Sequence, residues 1–136
     1  MRELTRYGVV VVLAAVLLAG LSGCSQPDAP AVDSVAREFR STAADGDTAR
    51  ACSLLAPGTR AELEQSAGRP CAQALGPVVR PAAGRVRGTQ VFGTMAKVAF
   101  EHDTVFLAEY RGGWKVLAAA CTRVPGHPYD CHLQGG

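Results

Sequence analysis

The stretch MAKVAFEHDTVFLAEYRGGWKV, residues 95–116, decides the fold. Its apolar residues recur at every second position, the period of a half-buried strand. Met95 to Glu101 places Ala96, Val98 and Phe100 on one face and Lys97, Ala99 and Glu101 on the other. His102-Asp103 reads as a two-residue turn, and Thr104 to Tyr110 as the next strand. Arg111-Gly112-Gly113 is a hairpin signal, because a two-residue turn of the favoured hand needs positive φ and glycine allows it. Trp114 to Ala120 then forms a further strand, with Trp114, Val116 and Ala118 on one face. Upstream, Arg85 to Phe92 is a first strand that turns at Gly93. Four antiparallel strands in a meander result.

Before Gly76 the period is helical. Val32, Val35, Ala36, Phe39 and Ala43 form one stripe, opposite Arg37, Glu38 and Arg40, and Gly46 ends the run. Asp47 offers an N-cap to a short helix over Thr48 to Leu55, which Pro57-Gly58 stops. Thr59 and Glu62 stand three apart, the spacing of a capping box for a third helix to Ala67. Pro70 to Leu75 adds one more helical turn. Helices followed by an antiparallel meander make an α+β domain. The two periods predict a core containing Phe39, Leu55, Val98, Phe100, Trp114 and Val116. Val124 to Asp130, with Pro125, Gly126 and Pro128, reads as a loop.

The chain has 136 residues, room for one small domain. Fourteen Lys+Arg against 12 Asp+Glu leave a net charge of +2, without the dense basic face of a nucleic-acid binder. A composition 48% hydrophobic and 19% charged excludes a disordered chain.

The N-terminus carries targeting information. Arg2 and Arg6 precede a run of apolar residues and Gly from Val9 to Leu21. This run is shorter than the ~20 residues of a membrane span and suits a signal-peptide core. Leu21-Ser22-Gly23-Cys24 follows, and resembles the bacterial lipobox. The resemblance implies a diacylglyceryl thioether on Cys24, cleavage after Gly23 and retention on the extracytoplasmic face of the cell membrane. Residues 1–23 are then a lipoprotein signal peptide, 24–29 a lipidated tether and 30–136 the folded domain. Several acyl chains hold a protein on a bilayer where one gives only marginal binding.

Cys52, Cys71, Cys121 and Cys131 remain, an even number in an exported chain, which reads as two disulfides. Of three possible connectivities, Cys52–Cys71 with Cys121–Cys131 is expected, since two cysteines lie in the helical half and two after the sheet. Each such loop adds ~3 kcal/mol by chain entropy. The rival is a metal site on His127, Cys131 and His132 with Asp130 adjacent. No CxxC pair exists, and neighbouring Cys and His rarely point at one ion, so neither a metal nor a redox dithiol is expected.

The combination of Phe39-x7-Asp47-x3-Ala51-Cys52-x-Leu54-Leu55, the hairpin Leu107-x-x-Tyr110-Arg111-Gly112-Gly113-Trp114-Lys115-Val116 and the closing Pro128-Tyr129-Asp130-Cys131 resembles small bacterial lipoproteins with an NTF2-like, cystatin-like domain. Arg- and Ala-rich usage suits an actinobacterial, GC-rich genome. The resemblance covers most of residues 30–131. It implies a sheet wrapped around helices into a conical pocket, and it transfers no activity.

Candidate chemistry is sparse. Trp114 is expected to anchor the core, with ligand stacking as the alternative. His102 and Asp103 would face opposite ways on a strand and are better placed in a turn, whereas acid–base catalysis needs both on one substrate atom. Glu101 and Glu109 read as solvated. Arg80, Arg85 and Arg87 either touch anionic headgroups or protect an edge strand. Tyr129 and Asp130 lie inside the small disulfide loop, as a packed loop or a recognition surface. No serine sits in a G-x-S-x-G elbow, and H-E-x-x-H, P-loop and G-x-G-x-x-G motifs are missing. The expectation is a non-catalytic envelope lipoprotein without cofactor that binds an envelope protein or a small ligand. A structural component without ligand and an NTF2-like enzyme are the alternatives.

Overall fold

The computed structural model describes residues 27–79 and 82–135. The signal segment, Cys24 and Arg80 lie outside them. Among the described residues four helices precede five strands: α1 (Ala29–Asp45), α2 (Thr48–Ser53), α3 (Pro57–Ala67), α4 (Cys71–Val78), β1 (Val86–Phe92), β2 (Met95–Phe100), β3 (Thr104–Tyr110), β4 (Gly113–Thr122) and β5 (Asp130–Gln134). The strands form one antiparallel sheet in the order β1-β2-β3-β4-β5. The α+β class and the meander are therefore as read from the sequence, but the sheet has five strands rather than four. The extra strand, Asp130–Gln134, pairs with β4 through Cys121↔Cys131 and Ala119↔Leu133. Its Asp-Cys-His-Leu-Gln offers a single buried apolar residue, Leu133, so periodicity had nothing to register.

α1 packs across one face of the sheet with Val32, Ala36, Phe39 and Ala43 buried, as the period predicts, whereas Val35 is half-buried and Arg40, expected on the opposite face, is buried. Phe39, Leu55, Val98, Phe100, Trp114 and Val116 all lie in the core. The Asp47 carboxylate accepts from the Arg50 N–H and caps α2. The capping box at Thr59 does not form. Pro57 starts α3 instead, its fixed φ already helical. Thr59 is buried within the helix, and its hydroxyl donates to the Leu117 carbonyl at 2.9 Å. α4 runs further than one turn, to Val78, and its first N–H, that of Cys71, donates to Glu64 Oε1 at 3.0 Å. Pro70 has no side-chain acceptor for that role. The Cys71 N–H and then the Arg60 guanidinium hold the Glu64 carboxyl below the usual carboxylate range.

β4 departs from strict alternation. Phe106 pairs with Ala118 and Leu107 with Val116, so Leu117 is bulged. Ala119, not Ala118, consequently takes the inward position after Val116. Leu117 turns its carbonyl to Thr59 Oγ1 and to the N–H of Gly135. Gly135 approaches Thr59 so closely that an added Cβ would stand 2.7 Å from the Thr59 hydroxyl. The β3–β4 hairpin also differs in detail from expectation. Positive φ falls on Gly113, at +103°, and not on Arg111 or Gly112 within the turn.

Candidate functional site

Several concavities border the described core. One, about 490 Å³, is an open groove between α1, α2 and the β3–β4 hairpin. Ala31, Val35, Leu54 and Trp114 give it an apolar floor, and Glu38, Arg50 and Lys115 a charged rim. The rim is already ordered: Arg50 Nε donates to Glu38 Oε1 at 2.7 Å, and Lys115 Nζ donates to the Ser53 carbonyl at 2.8 Å. Trp114 is only 7% exposed, so it is a core residue with one edge on the groove. A second concavity of about 440 Å³ lies where α1 meets the approach to β1, between Arg37, Ser41, Gly84 and Phe100.

A third, about 180 Å³, contains the residues that sequence singled out for chemistry. His102, Asp103 and His132 border it, with Arg40, Ala120 and Cys121. Asp103 is held by its neighbours. Its Oδ1 accepts from the N–H groups of Thr104 and Cys121 at 2.6 and 2.8 Å. Its Oδ2 lies 3.2 Å from Arg40 Nη1, with side-chain exposures of 3% and 6%. Burial pushes the Arg40 guanidinium down from its ordinary value, and Asp103 opposes that shift. A carboxylate holding a β-turn to β4 and neutralising a buried cation is a clamp. His102 is exposed beside it, so the pair occupies a turn, as read from sequence, with Phe100 N–H donating to the Asp103 carbonyl.

Both disulfides form as expected: Cys52–Cys71 ties α2 to α4, and Cys121–Cys131 ties β4 to β5. The Cys131 sulfur is therefore not a thiolate, and no cluster of three metal-ligating side chains stands among the described residues. Glu101 is not simply solvated. It accepts from the Arg85 N–H and guanidinium at 3.1–3.3 Å, and Arg87 lies 3.1 Å away. The Arg85 backbone bond foremost, with both guanidinium groups, holds its carboxyl below the ordinary range. Glu109 is exposed. Tyr129 packs edge-on against Phe106 with ring centroids 5.1 Å apart, under Lys97 and Arg123. The Arg123 hydrogen bond lowers its phenol from the ordinary value.

An outward-facing apolar cluster was not foreseen from the sequence. Phe92, Met95 and Tyr110 are 61%, 44% and 41% exposed. Phe92 pairs with Met95, and Met95 with Ala108, two residues before Tyr110 on the same face of β3. All three therefore lie on the sheet face opposite the helices. The signal was available in the alternation itself, since Val91, Ala96 and Leu107 already claim the inward face. Comparison with protein-family models, curated proteins and solved structures finds no match to this chain. Among the described residues, no helix is long and apolar enough to cross a membrane.

Proposed function

We propose that the protein is a cell-envelope lipoprotein, anchored on the extracytoplasmic face of the membrane through Cys24, whose domain binds an envelope partner or small ligand without catalysing a reaction. The observation that carries the reading is the apolar run ending in Leu21-Ser22-Gly23-Cys24 upstream of a domain closed by two disulfides. Disulfides persist in oxidising compartments, and the small-residue cleavage pattern precedes the one cysteine left over. The binding half rests on the groove beside Trp114, an apolar floor with a charged rim, the usual make-up of a ligand site. The non-catalytic half rests on the engagement of Asp103, the only carboxylate beside a histidine in that small pocket, in structural bonds. A long helix across a bulged antiparallel sheet favours the NTF2-like assignment, with the inner space occupied by Phe39, Val98, Leu107 and Val116.

Metabolic labelling with a fatty acid tests the anchor. The wild-type protein takes up label and the Cys24→Ala variant does not. Equal labelling of both would refute the lipobox. Trp114 emission reports on the groove, and a ligand seated there changes it, whereas Ala31→Glu weakens the response.

A further inference from the structure

The two hairpin tips, Phe92–Met95 and Tyr110–Gly113, lie side by side. The Glu109 N–H donates to the Thr94 carbonyl at 2.9 Å and fastens one to the other. Their shared outer face carries Phe92, Met95 and Tyr110, the exposed large apolar side chains of the described domain. Arg111 stands at the apex. Monomeric surfaces scatter such residues singly, so three together at one end call for an occupant.

The direction of α1 identifies it. Its first turns lie at this same end: Ala31 shares a groove with Gly112 and Gly113, and Asp33 Oδ1 accepts from Thr89 at 3.2 Å. Its last turns lie at the opposite end, where Arg40 meets Asp103. Four residues separate Ala29 from Cys24. Even fully extended, that link reaches at most about 18 Å. The 17 residues of α1 span about 25 Å. A domain inverted on its anchor would drive the opposite end, with Arg85, Glu101 and His102, below the headgroups. The charged end must therefore face away from the bilayer, and the tip end toward it.

We infer that Phe92, Met95 and Tyr110, with Arg111, form the surface by which the domain seats on the membrane carrying its own anchor. Aromatic and apolar side chains suit the boundary between headgroups and acyl chains, and a cationic apex suits anionic headgroups. Glu109 does not oppose this, since it lies on the other face of β3 from Tyr110. The inference rests on the anchor reading above.

The test uses the full lipidated chain in vesicles of phosphatidylcholine with a minority of phosphatidylglycerol, some with brominated acyl chains. A tryptophan is placed at either end, as Phe92→Trp or His102→Trp, both at exposed positions. The unmodified chain corrects for Trp114. Vesicle flotation and fatty-acid labelling read the anchor independently. The expected result is a blue shift and bromine quenching of Phe92→Trp, with His102→Trp unaffected. Equal quenching at both ends, or none at position 92 in protein that floats and is acylated, overturns the orientation and leaves the anchor standing. Protein that is neither acylated nor floats overturns both. A Phe92→Trp emission already blue-shifted without lipid, and dependent on protein concentration, assigns the patch to a second copy of the chain instead.

Discussion

The two ends of the sheet are built differently. At the end holding residues 101–103 the carboxylates are tied. Asp103 binds two backbone N–H groups and Arg40, Glu101 binds Arg85 and Arg87, and Cys121 is bonded to Cys131. Ala120 even holds φ at +54°, a left-handed conformation that persists in a non-glycine residue only when its surroundings fix it. At the other end the hairpin tips leave Phe92, Met95 and Tyr110 in solvent. One end spends its chemistry on holding the fold, and the other keeps side chains available for contact. Substitutions at the two ends should therefore separate stability from association.

The largest effect is expected at Asp103. Replacing it with alanine strands the Arg40 charge in the core and removes the acceptor of two buried N–H groups. Breaking a buried pair from one side costs ~3–5 kcal/mol. Urea unfolding of the domain from residue 25 onward reads this directly. A midpoint within error of wild type would mean that Arg40 and Asp103 are not buried together.

Next in size is the cross-strand disulfide. The double change of Cys121 and Cys131 to alanine should lower stability by ~2–3 kcal/mol, the chain entropy of a short loop. The unfolding slope should rise with it, because the denatured chain opens further. An unchanged midpoint would mean that β5 does not depend on its covalent tie.

Glu101 gives a smaller effect, visible as pH dependence. Its carboxyl is held below the ordinary range in the folded state, so the fold favours the ionised form. That contribution is complete above the unfolded value of ~4.3 and is lost as pH falls through the lower folded value. The stability difference between wild type and Glu101→Gln should be constant near neutrality and shrink in acid below about pH 4. A difference that grows on acidification would reverse the assigned direction.

Smallest is the stability change at the tips. Phe92→Ser and Tyr110→Ser should each shift unfolding by less than about 0.5 kcal/mol, as exposed sites do. Their consequence lies in vesicle association. A loss of several kcal/mol would place these side chains in the core and dissolve the contrast between the ends.

Much of this was legible in the sequence, for identifiable reasons. The stripe ending in Phe39 and the alternation through Val98 and Phe100 are periodic, so helix, strands and core followed directly. The segregation of the four cysteines foretold their pairing. Non-local hydrogen bonds were illegible. Thr59 looked like a capping residue because its bond partner, the Leu117 carbonyl, is 58 residues away. The bulge that exchanges Ala118 for Ala119 has no mark in a run of three alanines. β5 escaped because one inward leucine carries no period. Asp103 read only as part of a turn, and its pairing emerged when α1 brought Arg40 to it.

The anchor on Cys24 is the claim on which function and orientation both depend, and the intact mass of the protein purified from the envelope tests it most directly. The expected result is a chain beginning at Cys24, heavier than residues 24–136 by a diacylglyceryl group, with two disulfides. A chain that begins elsewhere, or a Cys24 found as a free thiol, would contradict it.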